Sequence, residues 1–268
     1  MGVSTISLGL GLGGGKAATS SGRAGGVYNN LLSANLDGSD DRIVTTLDPS
    51  SIGTGDYSVS FWFNIDSGAS EESPYFFAFG ASSSPHTNTY QGVGLTGRIG
   101  DGYKVRINNY FTAHSPAYTQ EVSLSTSDVV AGNWYHFLFV RDGTSLTLYK
   151  NGSSFLTHSN ANVGSNNFNQ GSEFRIGYGY GASSRYVDGL IDEFAVFNSA
   201  LSASNASSIY NSGVPADLAP FSPLSWWRMG ENDSGSNGAT IGTVTDQGSG
   251  GNNASGDNGA LYSNSVPS

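Results

Sequence analysis

Two adjacent acids, Asp192 and Glu193, are the residues of this sequence that most invite a catalytic interpretation. Hydrolysis of a glycosidic bond needs two carboxylates that face the same bond. The pattern from Asp188 to Phe197 predicts a β-strand, in which neighbouring side chains point to opposite faces. Asp188 and Asp192 share a face, but Leu190 between them belongs to a run typical of packing. The sequence therefore predicts no catalytic residue, and Asp192 is interpreted as a rim carboxylate that accepts backbone hydrogen bonds.

A second group of acids has the composition of a cation site. Asp37, Asp40 and Asp41 lie in the turn DGSDD, and we place Asp192 with them. Calcium prefers several carboxylate and carbonyl oxygens, and turns supply both. These four residues are predicted to bind Ca²⁺, which is the one cofactor that the sequence indicates. The alternative is that they are solvated turn acids.

Tyrosines in Gly- and Asn-rich segments are predicted to contact glycans. Sugar sites use exposed aromatic rings for stacking, together with polar side chains that bind hydroxyl groups. The candidates lie in segments that have the composition of loops, and they are Tyr90, Tyr110, Tyr178, Tyr180 and Tyr186. The alternative is that these rings fill the edge of the core or a subunit interface, where tyrosine is enriched.

Histidine and serine patterns give no support for hydrolytic chemistry. The four histidines are widely spaced, and neither H-x-x-x-H nor H-E-x-x-H occurs. His136 lies in a strongly apolar strand, which favours a hydrogen-bonded core residue over a general base. No serine lies in a G-x-S-x-G elbow, so a catalytic triad is not predicted.

The elements that must position these side chains are β-strands. From Asn133 to Gly152 the sequence reads NWYHFLFVRDGTSLTLYKNG, which is two apolar runs joined by Asp-Gly and closed by Asn-Gly. Such pairs supply the positive φ angles that tight hairpin turns need. Apolar residues occupy both faces of the first run, so we predict a hairpin whose first strand is buried on both sides.

Four segments in order resemble the laminin G-like, concanavalin A-like jelly-roll family. They are LDGSDDRIV from Leu36, YSVSFWFNI from Tyr57, the hairpin above, and DGLIDEFAVF from Asp188 with the ALSASNASSIYNSG that follows it. The resemblance implies an all-β, two-sheet antiparallel jelly-roll sandwich. It also implies calcium at a sandwich rim, as in laminin G-like and pentraxin relatives. Glycosidases that share the fold carry E-x-D-x-E, which this sequence lacks, so no enzyme activity is predicted.

One segment predicts a helix. Residues from Ser202 to Asn211 lack strand alternation, Ser202 is available as the N-cap, and Gly213 followed by Pro215 provides a stop. The predicted fold is therefore a jelly roll with one short helix.

The chain divides into three zones by composition. Residues 1–30 form a Gly/Ser-rich arm, residues 31–213 the jelly roll, and residues 214–268 a C-terminal extension with a returning strand around 224–230. The two ends contain few apolar side chains to offset chain entropy. We therefore expect that packing against neighbouring subunits orders both ends, with docking on their own sandwich as the alternative.

Charge restricts the partners. Lys plus Arg number 11 against 21 Asp plus Glu, a net charge of −10 at neutral pH. This surplus opposes contact with nucleic acid phosphates or anionic lipid, so neither nucleic acid nor membrane is predicted as a partner. The chain has no cysteine, so disulfides and thiolate metal sites do not stabilise it.

The opening segment lacks the basic and apolar regions of an export signal. A leaderless β-sandwich with low-complexity ends favours a non-enzymatic structural protein of a bacteriophage particle, as surface decoration or a tail or fibre component. Its expected partners are other virion proteins, copies of itself through both ends, and host surface glycans. The alternative is a bacterial carbohydrate-binding or adhesion module, located outside the cell or on its surface.

Overall fold

The computed structural model describes residues 29–69, 74–81, 90–110, 118–165, 167–168, 172–179 and 185–268. Apart from its last two residues, the predicted N-terminal arm, residues 1–30, lies outside these ranges.

The described residues form strands, one short α-helix, α1 (Ala203–Tyr210), and a few single turns of 3-10 helix. The strands are β1 (Ser33–Asp37), β2 (Arg42–Thr45), β3 (Tyr57–Ile65), β4 (Tyr75–Ala81), β5 (Tyr90–Ile99), β6 (Gly102–Tyr110), β7 (Tyr118–Val122), β8 (Val129–Val130), β9 (Tyr135–Asp142), β10 (Ser145–Lys150), β11 (Ser153–Ser159), β12 (Ser172–Ile176), β13 (Asp188–Phe197), β14 (Ser225–Trp227), β15 (Thr243–Val244), β16 (Ala254–Asp257) and β17 (Leu261–Ser263).

These strands form two antiparallel sheets. The first sheet has the order β11-β10-β9-β3-β13-β1-β17, with β14 also paired to β13. The second has the order β15-β16-β2-β12-β4-β5-β6-β7, with β8 also paired to β6. The architecture confirms the predicted all-β jelly-roll sandwich with one short helix.

The predicted hairpin is β9 and β10, and local chemistry explains its closing turn. Asn151 has φ of 49° and Gly152 has φ of 76°, the left-handed conformation that Asn and Gly tolerate best. The Asn151 Oδ1 also accepts the His136 N–H at 2.9 Å, which fastens the turn to the start of β9. Side chains from His136 to Arg141 are all buried, as predicted for a strand packed on both faces.

Aromatic rings fill the space between the sheets. Phe61 of β3 stacks on Phe194 of β13 at 5.2 Å, and its other neighbours include Phe77 from the opposite sheet at 5.9 Å. Trp227 is fully buried and lies 6.1 Å from Phe174. Burial of each such ring stabilises the fold by about 1.5–3 kcal/mol, so the interior strongly favours this pairing of sheets.

Helix α1 covers the outer face of the first sheet. Ala206 packs on Leu138 and Val140 of β9, and Ile209 packs in a cluster with Phe197 of β13. The helix begins with the predicted cap, because the Ser202 hydroxyl accepts the Asn205 N–H at 3.2 Å. In the described part of the chain, no helix is long and apolar enough to cross a membrane.

Residues 214–268 belong to the same sandwich. Strand β14 pairs with β13, β17 with β1, and β16 with β2, so this segment adds strands to both sheets. The expectation that neighbouring subunits order it is therefore corrected in favour of docking on its own sandwich. The prediction from composition was wrong because residues 214–268, although poor in large apolar side chains, bury the ones that matter most. These are Trp226, Trp227, Met229 and Tyr262.

Candidate functional site

The strongest candidate site lies beside β2 and β12 of the second sheet. A cavity of about 360 Å³ is lined there by Arg42, Val44, Thr45, Thr46, Leu47, Phe174 and Tyr178. Val44 pairs with Arg175 across the two strands, while the neighbouring pair of Ile43 and Ile176 packs into the core. Because side chains alternate along a strand, Arg42, Val44 and Arg175 project from the outer face.

Two of the predicted tyrosines meet at this site. Tyr178 and Tyr186 form an antiparallel bridge, and their rings stack with centroids 5.8 Å apart and an interplanar angle of 13°. Both side chains are partly exposed. The guanidinium carbons of Arg42 and Arg175 lie 5.1 Å and 4.9 Å from the Tyr178 ring centroid. The result is an aromatic platform with two guanidinium groups over its Tyr178 ring.

An ion pair fixes one of those cations. Arg42 Nη2 lies 2.6 Å from Asp257 Oδ2, and Arg42 Nε donates to the same oxygen at 2.8 Å. Partial burial lowers the pKa of Arg42, but the hydrogen bond to Asp257 and the adjacent Tyr178 outweigh burial, so the pKa is raised overall. The guanidinium is therefore permanently charged and held beside the ring.

Glycine positions the tyrosine platform. Gly177 has φ of 81°, and its N–H and C=O bond to Phe76 and Val187 as the chain leaves β12. At Gly179 an added Cβ would lie 2.2 Å from Tyr75 Cδ2, so only glycine permits the chain to pass over that ring. The short segment between them carries Tyr178 to the rim of the cavity.

The three predicted turn acids come together. Carboxylate oxygens of Asp37, Asp40 and Asp41 lie within 4.8 Å of one another. Asp37 Oδ1 accepts the Ser39 N–H at 2.8 Å, which shapes the turn. Burial and then the charge of Asp37 raise the pKa of Asp41, with a smaller effect from Asp40. These oxygens suit a hard divalent cation, which would relieve the mutual repulsion.

Asp192 does not join that group, which corrects the predicted four-residue calcium site. It is fully buried in β13, where its Oδ2 accepts the Asn30 Nδ2 at 2.8 Å and its Oδ1 accepts the Glu193 N–H at 2.7 Å. Burial, the charge of Glu193 and the charge of Glu231 raise its pKa. The rim position assigned from the sequence is also wrong, because Asp192 has no exposed surface and is paired with Trp62 of β3 inside the first sheet.

Glu193 lies at a β-bulge in β13 and has an unusual backbone conformation. Its φ is 46°, and the register between β13 and β3 shifts between Asp192 and Ala195. Its carboxylate accepts the Trp226 Nε1–H at 2.6 Å and the Arg228 Nε–H at 3.1 Å. Both acids of the adjacent pair are therefore used to dock the chain ends onto the sandwich.

Two of the other predicted tyrosines lie in β5 and β6. Tyr90 begins β5 and Tyr110 ends β6, where they are paired in register, so these residues lie in strands and not in loops as expected. Tyr180 lies outside the described residues. Sequence reasoning did not select Arg42, Arg175 or Asp257, although arginine on the outward positions of strands in an acidic protein was an available signal.

This chain is similar to one protein family and to several solved structures. Residues 37–207 match the family described as the concanavalin A-like lectin/glucanase superfamily, of laminin G type. A candidate carbohydrate-binding protein from Bacteroides ovatus has a similar structure, with TM-score 0.59, 14% identity, and coverage of 90% of this chain and 62% of that one. The enzymatically active domain of tailspike protein 2 from bacteriophage CBA120 gives TM-score 0.53, 14% identity, and coverage of 71% and 28%.

A Ruminococcus gnavus sialidase CBM40 module gives TM-score 0.50 at 9% identity, and the match covers 68% of this chain and 100% of the module. No curated protein matches the sequence. This chain spans only 62% of the Bacteroides ovatus protein, and identities this low support the fold alone. The family match covers more than half of the sequence, so the chain belongs to the concanavalin A-like lectin/glucanase superfamily.

Proposed function

We propose that this protein binds carbohydrate at the Tyr178 platform and does not cleave it. The observation that carries the proposal is the stacked, partly exposed Tyr178–Tyr186 pair beside the cavity that Tyr178 lines together with residues of β2 and β12. A tyrosine ring presents an apolar face to a sugar ring and a hydroxyl to its polar groups. The structural similarity to a candidate carbohydrate-binding protein and to a sialidase module is in keeping with such a role.

The absence of catalysis is supported by how the adjacent acids are used. Asp192 is bonded to Asn30, and Glu193 to Trp226 and Arg228, and both acids are buried. A glycosidase needs two carboxylates that face a substrate-sized space. In the described part of the chain, these two instead hold the ends of the protein together.

A glycan array tests the binding site. We expect the wild-type protein to bind a defined set of glycans, and Tyr178→Ala to weaken that binding by at least about tenfold, because it removes the stacking surface. Tyr178→Phe is the matched control, since it keeps the ring and should retain most of the binding. Equal binding by wild type and Tyr178→Ala, with both proteins folded, would place the site elsewhere; no glycan binding by the wild type would end the proposal.

A calcium ion at the Asp37, Asp40 and Asp41 turn is a second part of the proposal. The turn is connected to the platform through two neighbouring residues. The Asp40 C=O accepts a hydrogen bond from Asn258 Nδ2 at 2.9 Å, and the preceding residue, Asp257, forms the ion pair with Arg42. We expect calcium to raise the Tm of the wild type and to have no such effect on Asp41→Asn. Magnesium serves as the comparison ion, since it prefers smaller octahedral sites with bound water. An identical response of the two proteins to calcium would exclude this turn as the site.

The finer proposal is that the domain is displayed on a bacteriophage particle, with a bacterial surface module as the alternative. The arm of residues 1–30 carries Lys16 and Arg23 and no acid, which suits attachment to an acidic partner such as another virion protein or a copy of this chain. Mass spectrometry of purified particles is expected to detect the chain. Its absence from particles, together with its recovery from a bacterial envelope, would favour the alternative.

A further inference from the structure

The cavity beside Tyr178 contains three apolar side chains at different depths, and we call them the apolar corner. They are Val44, Leu47 and Phe174. Val44 is 40% exposed, whereas Leu47 and Phe174 are each 5% exposed, so Val44 lies nearest to solvent and the other two lie deeper. All three side chains are hydrocarbon, so they offer a ligand dispersion contacts and the removal of apolar surface from water.

The polar side chains around the same cavity are engaged within the protein. Arg42 is bound to Asp257 through both Nε and Nη2. The Thr46 hydroxyl donates to the Asn253 C=O at 3.2 Å, and the Thr45 hydroxyl oxygen accepts the N–H of the residue two positions later at 3.3 Å. A ligand hydroxyl that entered the apolar corner would lose its hydrogen bonds to water and gain none from the three hydrocarbon side chains there. The apolar corner therefore disfavours a hydroxyl group.

The size of the cavity suits one substituent of a sugar better than a long chain. Its volume of about 360 Å³ is near the lower end of the range for small-molecule sites. Because Val44 is partly exposed, a sugar ring at the mouth can keep its hydroxyl groups in water while one group reaches the apolar corner. The compact apolar groups of sugars are methyl groups, either on an acetamido substituent or at C6 of a 6-deoxy sugar.

These observations select a feature of the ligand. We propose that the glycan bound at this cavity carries a methyl group, as N-acetylated and 6-deoxy sugars do, and that this methyl group contacts the apolar corner. The contact removes the methyl group and the exposed part of Val44 from water together, which is favourable in proportion to the apolar area buried. This inference rests on the proposed carbohydrate-binding function and names its ligand class.

Matched pairs of sugars test the inference, each titrated by calorimetry. N,N′-diacetylchitobiose is compared with cellobiose, which has hydroxyl groups in place of the acetamido groups. L-fucose is compared with L-galactose, and L-rhamnose with L-mannose, since each of these pairs differs by a methyl against a hydroxymethyl group. We expect the methyl-bearing member of at least one pair to bind about tenfold more tightly, which is the usual discrimination of an apolar pocket for one small group. The pair that responds distinguishes an N-acetyl from a 6-deoxy ligand.

Val44→Thr assigns the preference to the apolar corner. Threonine suits a strand as valine does and replaces one partly exposed methyl group by a hydroxyl. We expect this variant to weaken the methyl-bearing probe by about fourfold and to change its hydroxyl-bearing match little. Val214→Thr is the matched control, because Val214 is 49% exposed and is not among the residues that line the cavity. Thermal unfolding checks that both variants are folded.

The outcomes separate this inference from the proposed function. If no pair shows a preference for its methyl-bearing member while glycans bind on the array, the methyl inference falls and carbohydrate binding stands. A preference that folded Val44→Thr retains in full would also overturn the inference, because the methyl group would then contact another part of the protein. If no glycan binds at all, carbohydrate binding falls and the inference falls with it.

Discussion

A chain that ends at Gly213 will not fold into a stable sandwich. Truncation there removes β14, β16 and β17, which pair with β13, β2 and β1, so three strands lose a neighbour. It also removes Trp227 and Tyr262 from the core and exposes the apolar surfaces that they cover. We expect the truncated protein to lack a cooperative urea transition by circular dichroism. A truncated chain that unfolds cooperatively at the wild-type midpoint would show that the segment is dispensable.

A single substitution isolates the central contact of that segment. Trp227 is fully buried, its Nε1–H donates to the Asn252 C=O at 2.7 Å, and its ring lies against Phe174 and Phe194. Trp227→Ala should therefore lower the free energy of unfolding by about 3–5 kcal/mol, the usual cost of removing a buried aromatic ring. The matched control is Trp134→Ala, because Trp134 is only partly buried and its loss should cost far less.

Acid will destabilise the protein through His136, and His136→Gln will remove that part of the pH dependence. The ring is fully buried, and burial lowers its pKa to about 3. Its Nε2 lies 2.9 Å from Ser60 Oγ. The unfolded chain takes up a proton near pH 6.5, whereas the folded chain resists until about pH 3. The stabilisation is therefore complete above pH 6.5 and is lost as the pH falls, by about 1.4 kcal/mol per unit.

Comparison with the variant is necessary because four carboxyl groups act in the opposite direction. Burial raises the pKa of Asp41, Asp188, Asp192 and Glu231, so their protonation favours the folded state as the pH falls. Subtracting the urea-derived stability of His136→Gln from that of the wild type at each pH isolates the imidazole. His158→Gln, which removes a different imidazole that lies 3.6 Å from Glu121, is the control. Parallel curves for wild type and His136→Gln would contradict this assignment.

The sequence predicted those elements whose bounds depend on residues a few positions apart, such as a strand with an apolar pattern and a helix with an N-cap. The strand at Tyr57–Ile65 has its predicted bounds, and all of its residues are buried. The second sheet covers its inner face, where Phe61 meets Phe77, and α1 covers its outer face, where Trp62 stacks on Tyr210. The helix begins at its predicted Ser202 cap and is followed by the predicted glycine. The segment from Leu36 to Val44, which resembles the opening of the family, is divided between two strands, β1 and β2, since the DGSDD turn carries the chain from one sheet to the other.

The candidate site was predicted less completely. Tyr178 and Tyr186 were selected because their Gly-rich surroundings indicated accessible rings, and both line the platform. Their neighbours Arg42 and Arg175 were missed, because they are far apart in the sequence and only the pairing of β2 with β12 brings both to the Tyr178 ring. The acids show the same limit: Asp37, Asp40 and Asp41 are neighbours in sequence and in space, whereas Asp192 is more than a hundred residues away in the chain and belongs to another network.

By itself the sequence determined the strand periodicity, the hairpin turns, the helix cap and the family, since each depends on residues a few positions apart. Tertiary structure decided that residues 214–268 complete both sheets and that Arg42, Tyr178 and Asp257 share one surface. The physical reason is that short, glycine-rich strands carry few side chains whose packing could select one neighbouring strand over another. Their partners are chosen by which arrangement buries the few large side chains, such as Trp227, and satisfies the backbone hydrogen bonds of the sheet edges.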